Sequence, residues 1–183
     1  NRAGRTTVYP ACFQLLMATN PCPCGNYGVS GKICLCSARA VEQYWRKFSG
    51  PLLDRVDIRI AVGSSTASEG DGSAASRFRR SSAELRIDIA RAVRIQRQRQ
   101  GKRNARLSPQ EVLRWCTLGK AEQAFLDNAA VGNDFSQRAV SSCLKLSRTL
   151  ADMDGSEKIT LAHLSEAVSL RQQEGPFGLF SME

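Results

Sequence analysis

A stretch of 18 residues without a regular apolar pattern divides the chain and limits what it can fold into. Residues 63–80, "GSSTASEGDGSAASRFRR", are rich in Gly, Ser and Ala, a composition typical of flexible linkers. Strand-like patterns occur only before this stretch, whereas helical patterns fill the sequence after it. We therefore expect two folded parts, residues 1–62 and 81–173, joined by a linker at 63–80 and followed by a tail at 174–183.

The part before the linker has the pattern of an incomplete α/β domain. Residues 12–18, "CFQLLMA", predict a buried strand that stops at the polar tip formed by Asn20. Apolar and polar residues alternate over 56–62, which predicts a second strand. Ser37 is the expected cap of a helix over 38–48. Two strands and one helix are too few for a complete sheet domain, so this part is interpreted as the back half of one.

The part after the linker predicts an all-α bundle. A long basic helix is expected over 82–100, and Ser108 begins a capping box with Pro at the first helical position. Further helices are predicted over 120–131 and 136–153, and a last one is expected to begin after Thr160. The predicted fold class is therefore α/β plus all-α. The apolar residues expected along one face of the basic helix are Leu85, Ile89, Ala92 and Val93.

Four of the seven cysteines lie in one short loop, as two C-x-C pairs. Two such pairs can close a tetrahedral zinc site, and a site with four protein ligands is structural because no position is left for water. Four free thiols, or a disulfide formed during purification, are the alternatives. The candidate ligands are Cys22, Cys24, Cys34 and Cys36.

The distribution of charge and the number of cysteines indicate which kinds of partner and which cellular compartment suit the chain. Ten arginines and one lysine against two acidic residues fall within 77–106, which accounts for the whole net charge of +9. That segment is either a surface for a polyanion or a solvated helix face. An odd number of cysteines without a secretory segment favours a reducing cytoplasm, and no apolar run reaches the roughly 20 residues of a membrane span.

Several separated blocks of the sequence resemble one known family. The blocks "YPACFQLLMATNPCPCGNYG", "YWRKFSGPLLDRVDIRIAV" and "SEKITLAHLSEAVSLR" are similar to the magnesium-chelatase-like AAA+ ATPases of bacteria, in the group of the competence protein ComM and YifB. The resemblance runs from Arg2 to about Arg171 in the family's order. It implies a hexameric ATPase with a sheet-containing nucleotide domain and a helical lid. Residues 1–62 would be the C-terminal part of that AAA+ core, and 81–173 would be the lid.

The resemblance also implies roles for individual residues. Asn20 matches the sensor-1 residue that binds the γ-phosphate or the attacking water, although an Asn before Pro also commonly forms a turn. Arg55 matches an arginine finger, with Asp54 and Asp57 beside it to hold it ready; the alternative is a surface ion pair. Arg138 resembles the sensor-2 arginine of the lid, and Arg148 is the rival for that role.

The function implied is ATP-driven DNA remodelling, of the kind thought to drive branch migration in natural transformation. ATP and Mg²⁺ would be the cofactors, the protein would form a ring with itself, and it would be cytoplasmic. The chain has no G-x-x-x-x-G-K-[ST] phosphate loop, so we expect it to be inactive alone. The alternatives are a chelatase-type ATPase that acts on a protein partner, and a non-enzymatic zinc-bearing binding module. The residues expected at DNA phosphates are Arg91, Arg94 and Arg97.

Overall fold

The computed structural model describes residues 4–9, 11, 13–29, 31–60, 62 and 80–172. The chain divides into two compact units, Asn1–Trp45 and Arg46–Glu183. The predicted tail, and the predicted linker apart from its last residue, lie outside the described residues. Within the described ranges, no helix combines the length and the apolar character that crossing a membrane requires.

The first unit is organised by one helix, α1 (Ala38–Trp45). Ser37 caps this helix as predicted, because its side chain accepts a hydrogen bond from the first turn at 3.2 Å. The helix ends at Trp45, three residues before the predicted end. The Trp45 indole donates to the carbonyl of Pro21 at 3.0 Å, and both Trp45 and Cys22 are buried. The helix is therefore attached to the start of the cysteine loop.

The described residues contain no β-strand, so the α/β part of the predicted fold class is not confirmed. Over 13–20 the chain has no regular structure and its apolar side chains face solvent; Phe13 is 75% and Leu16 is 86% exposed. The expectation of a buried strand at 12–18 is therefore wrong for the described part of that run. A strand forms only when its backbone groups pair with another strand, and no partner strand is present among the described residues.

The second unit is helical. It begins with a short helix, α2 (Gly50–Asp54), and the predicted basic helix forms over its full length as α3 (Ser82–Gln100). The capping box at Ser108 is also present: its side chain accepts from the Glu111 amide, and the Glu111 carboxylate accepts from the Ser108 amide. The remaining elements of the described part are a 3₁₀ turn (Asn104–Arg106), α4 (Pro109–Trp115), α5 (Lys120–Gly132), α6 (Gln137–Met153) and α7 (Leu161–Gln172).

The core of this unit lies around α6, which packs against α3, α4 and α7. The buried apolar side chains come from every helix from α4 to α7 and from the loops between them, so the helices form one bundle. Its buried members are Leu107, Val112, Cys116, Leu126, Cys143, Ala151, Ile159, Leu164 and Val168.

Only part of the predicted apolar face of α3 is buried. Ala92 is 3% exposed, but Leu85 and Ile89 are 42% and 54% exposed. One turn beyond Ala92 the same face buries the polar Gln96, whose side chain accepts a hydrogen bond from the Asn104 amide at 3.0 Å. The buried face of α3 therefore combines the apolar Ala92 with polar side chains that bond to the rest of the bundle.

The segment at 56–60, predicted as a strand, pairs its backbone with a helix and not with another strand. The Arg59 amide donates to the carbonyl of Leu170 at 2.8 Å, so it binds the end of α7 instead of a neighbouring strand. Residues 46–60 belong to the same unit as the helical bundle, whereas the sequence pattern groups them with residues 1–45. The domain boundary at residue 62 stays a prediction.

Candidate functional site

The four cysteines of the loop come together. Their Sγ atoms all lie within 4.8 Å of one another. Cys22 Sγ is 3.3 Å from Cys24 Sγ and 3.7 Å from Cys34 Sγ, and the latter two atoms are 3.6 Å apart. Four thiolates bound to one tetrahedral zinc ion at about 2.3 Å would be about 3.8 Å apart, so the arrangement fits a metal ion of that kind.

The local backbone explains why the loop folds back on itself. The Gly25 amide donates to the Cys22 carbonyl at 3.0 Å, and Gly25 has a φ of +80°, which residues with a Cβ rarely adopt. The Tyr27 amide then points at Cys22 Sγ, 3.4 Å away. Backbone amides directed at a ligand sulfur stabilise its thiolate form.

The thiols differ in acidity. Burial opposes ionisation of Cys22, but hydrogen bonds from the Cys24 thiol and the Tyr27 amide outweigh it and lower its pKa to about 6. The amide of Cys36 acts to lower the pKa of Cys34, yet burial and the neighbouring thiols dominate and raise it to about 12. One thiol of the cluster therefore ionises readily while another resists, as expected when several thiols crowd together without a cation.

Asn20 lies just before the cysteine loop, and it is exposed. Its side-chain amide makes no hydrogen bond within the part of the chain that the structure describes, and it is 3.8 Å from where a Cβ on Gly25 would lie. The neighbouring Thr19 hydroxyl pairs with the Tyr44 hydroxyl at 2.7 Å, which attaches this segment to α1. The amide is available to a ligand, and its sensor role stays a prediction.

Arg55 is the residue that follows α2, and it is exposed. Among the described residues, its guanidinium bonds only to the carbonyl of Pro51, at 2.6 Å. Asp54 and Asp57 do not hold it, contrary to the sequence interpretation. Both carboxylates bind the helical bundle instead, and the Asp57 carboxylate accepts a hydrogen bond from the Ser142 hydroxyl of α6.

Asp54 joins a cluster that includes Arg171, a residue that the sequence reasoning missed. Arg171 is 3% exposed, and its Nη2 lies 2.9 Å from Asp54 Oδ1 and 2.8 Å from the Asp54 carbonyl oxygen. Its Nη1 donates to the Val56 carbonyl at 3.2 Å, and its guanidinium lies 5.9 Å from the centre of the Phe135 ring. The Ser136 hydroxyl donates to both Asp54 carboxylate oxygens, at 3.0 and 3.1 Å.

The spacing of the buried residues along α7 indicates that Arg171 also faces the core. Leu164, Ala167 and Val168 form the buried stripe of this helix, and the next position in that stripe is Arg171. An arginine at a core position requires acceptors that are desolvated with it. The sequence pattern locates such a residue but does not identify its partners.

The two arginines considered for the sensor-2 role have different surroundings. Arg148 is 4% exposed, and its guanidinium forms an ion pair with Asp152. It also donates to the carbonyl of Ser156 at 2.6 Å and to the carbonyl of Glu157 at 2.7 Å. Burial lowers its pKa, and Asp152 opposes that effect. These bonds hold the Arg148 guanidinium inside the bundle. Arg138 is exposed in the first turn of α6 and makes no hydrogen bond or ion pair with any described residue; its sensor-2 role stays a prediction.

The three arginines predicted to meet DNA are all exposed. Arg91 is the most constrained, because it donates to the Met153 carbonyl at 3.0 Å and lies 3.5 Å from Asp88. Arg94 and Arg97 border a shallow depression with Ala90, Val93 and Gln98. Neither guanidinium is paired with a described residue, and the role of the three arginines at DNA stays a prediction.

Comparison with known proteins places the chain in a family. The model of magnesium chelatase subunit ChlI matches residues 1–70, and the model of its C-terminal domain matches residues 79–171. The competence protein ComM of Haemophilus influenzae is 36% identical over 175 residues, which cover 93% of this chain and 33% of ComM. The YifB protein of Salmonella typhimurium is 35% identical over 178 residues, covering 93% of this chain and 33% of YifB.

A mycobacterium also has a similar protein. The Rv2897c protein of Mycobacterium tuberculosis is 34% identical over 176 residues, covering 93% of this chain and 34% of its own length. The chain thus spans about one third of the length of the curated relatives that it matches. Because the two family models together match most of its residues, the chain belongs to the magnesium-chelatase-like family, in the ComM/YifB group.

Proposed function

We propose that the chain is the part of a hexameric AAA+ ATPase that senses nucleotide and completes the neighbouring subunit's catalytic site, and that the ATPase remodels DNA. The proposal depends most on the surroundings of the Arg55 side chain and backbone. Its side chain is exposed and binds only its own helix among the described residues, while residues on both sides of it are held by the bundle. A finger that must reach another subunit's nucleotide needs this combination of an available side chain and a fixed backbone.

Two other polar groups complete the proposed nucleotide contacts. Asn20 is the sensor that orients the attacking water or the γ-phosphate, and Arg138 contacts the phosphates from the lid. Both side chains are exposed and unpaired among the described residues. ATP and Mg²⁺ require in addition a phosphate-binding loop, for which this sequence has no match, so another part of the full-length protein would supply it.

ATP hydrolysis by the full-length protein, with and without forked DNA, tests the proposed function. We expect hydrolysis that DNA stimulates. Hydrolysis that is indifferent to DNA would favour the chelatase-type ATPase with a protein partner. An absence of hydrolysis, with the protein folded and able to bind metal, would favour the non-enzymatic zinc-bearing module.

DNA binding is proposed to use the exposed arginines of α3. Replacing Arg94 and Arg97 by Ala should weaken binding to DNA of any sequence, because each guanidinium that meets a phosphate releases counterions. The slope of log K against log salt should become shallower by about 1 for each phosphate that is no longer neutralised. Binding measured by fluorescence anisotropy over a salt series checks this. Arg114→Ala, an exposed arginine on α4, is the matched control and should leave the slope unchanged.

We also propose that the four loop cysteines hold one structural zinc ion. The sulfur spacing and the amide directed at Cys22 support this. Zinc bound by four thiolates would fold the loop and supply no catalytic group, because no coordination position is left for water. The alternative of a disulfide predicts a reductant-sensitive mass instead of bound metal.

One zinc ion per chain is the expected result of elemental analysis on protein prepared without chelator. Cys24→Ser should lose most of the metal, whereas Cys116→Ala, in the core of the helical bundle, should retain it. Removal of the metal should also change the fluorescence of Trp45, because its indole binds the Pro21 carbonyl next to Cys22. Full occupancy in Cys24→Ser, or no metal in the unmodified protein, would contradict the assignment.

A further inference from the structure

Arg171 binds the backbone on both sides of Arg55. Its guanidinium lies near the Phe135 ring, and its hydrogen bonds go to the carbonyls of Asp54 and Val56 and to the Asp54 carboxylate. The residues before and after Arg55 are thus fixed to one buried side chain at the end of α7. Fixing two carbonyls that flank a residue restricts the direction in which its Cα–Cβ bond points.

Other bonds hold the same segment to the bundle. The Arg59 amide donates to the Leu170 carbonyl, immediately before Arg171 in α7. The Ser136 hydroxyl, which also caps α6 by accepting the Ala139 amide, donates to the Asp54 carboxylate. The start of α6 and the end of α7 therefore share one short segment, and a displacement of either helix moves that segment.

The chemistry of arginine suits this arrangement. A planar guanidinium presents donors in fixed directions, so one side chain can bind a carboxylate and two carbonyls at once. A lysine carries the same charge, but its single ammonium nitrogen cannot reproduce the same set of directions. Arg171 is 3% exposed, so these bonds are shielded from water and are strong relative to surface contacts.

We propose that Arg171 is a positioning residue for Arg55: it aims the finger at the neighbouring subunit's nucleotide and transmits movements of the lid helix α7 to it. The proposal rests on the proposed ATPase function. It does not place Arg171 in contact with ATP. It predicts that the contribution of Arg171 to hydrolysis disappears once Arg55 is gone, because Arg171 acts through Arg55 alone.

A double-mutant cycle on the full-length protein tests this. Arg171→Met alone should lower kcat for ATP hydrolysis by roughly 10²-fold, with KM for ATP within a factor of about 2, because a misaimed finger affects the transition state and not substrate binding. In the Arg55→Ala background the same substitution should change kcat by less than about 2-fold. Arg114→Met, an exposed arginine elsewhere in the bundle, is the matched control and should leave kcat unchanged.

Arg171→Lys covers the case in which the Met variant does not fold. It retains the charge beside Asp54, so we expect a folded protein with kcat between those of the unmodified protein and Arg171→Met. Equal losses from Arg171 substitution with and without Arg55 would overturn the inference, as would full activity in Arg171→Lys, and neither would affect the proposed function. A protein without ATP hydrolysis, or an Arg55→Ala variant with normal kcat, would instead remove the proposed function and this inference with it.

Discussion

Arg55→Ala in the full-length protein should lower kcat for ATP hydrolysis by roughly 10³- to 10⁵-fold, the range that arginine fingers contribute. The reason is electrostatic: in the proposed role the guanidinium would neutralise charge on the phosphoryl oxygens in the transition state, and alanine would leave that charge unpaired. The alternative, a surface ion pair, predicts a very different result. An exposed ion pair contributes only about 0–1 kcal/mol to stability, so its loss should leave kcat nearly unchanged.

The local structure ensures that a loss of activity would not reflect unfolding. Arg55 is exposed, and its guanidinium binds one carbonyl of its own helix, so its removal should change the free energy of unfolding by no more than about 0.5 kcal/mol. Far-UV circular dichroism during urea unfolding checks this point. Arg114→Ala is again the control, and a normal kcat in Arg55→Ala would reject the finger.

Mixing subunits tests where the finger acts. If Arg55 completes the neighbour's site, mixing Arg55→Ala subunits with subunits that keep Arg55 but carry a defective phosphate-binding loop should restore ATP hydrolysis, because some interfaces then combine an intact loop with an intact finger. Neither variant should hydrolyse ATP by itself. A side chain that served only its own subunit's nucleotide would give no recovery on mixing.

The sequence predicts the helical bundle well because its helices carry local signals. Ser108 with Glu111 forms the expected capping box, and the helices predicted at 82–100, 120–131 and 136–153 form within one residue of those limits. Caps and apolar periodicity act over a few residues, so they can be recognised without knowledge of the fold. The cysteine cluster is similar, since its ligands lie close together in the sequence.

The absence of strands among the described residues and the partners of the buried charges could not be predicted in the same way. The apolar run at 12–18 has strand-like composition, but a strand depends on a partner that a local pattern does not contain. The sequence suggests Arg55 as the partner of Asp54 because the two are adjacent, yet the partners of Asp54, Ser136 and Arg171, are more than 80 residues away in the sequence. Such pairings are decided by how helices pack, and only the folded chain reveals them.

The buried hydrogen-bond network around Asp152 is the clearest feature that the sequence pattern does not predict. The Asp152 side chain is fully buried, and its carboxylate accepts hydrogen bonds from Arg99, Arg148 and Asn104. Asn104 is itself 1% exposed and donates to the Thr149 hydroxyl at 3.0 Å. The network thus connects α3, the 3₁₀ turn and α6 through one carboxylate.

Asp152 is the residue whose loss should destabilise the bundle most. Arg148 is 4% exposed, and Arg99 retains 20% side-chain exposure. Without the carboxylate, two guanidiniums would face each other in a site that water scarcely reaches. Removing one partner of a buried ion pair typically costs about 3–5 kcal/mol, because the remaining charge is desolvated without compensation. The Asn104 amide would lose an acceptor as well, which adds to the cost.

Asp152→Ala should therefore lower the free energy of unfolding by about 3–5 kcal/mol. Urea unfolding followed by far-UV circular dichroism measures it, because the described helices lie mostly in this unit. Asp127→Ala is the matched control: its carboxylate is exposed on α5 and, among the described residues, accepts only from Gln123, so the change should stay within about 0.5 kcal/mol. A loss below about 1 kcal/mol in Asp152→Ala would mean that Arg99 and Arg148 regain water on unpairing. The buried carboxylate would then not be what fixes α3 to α6.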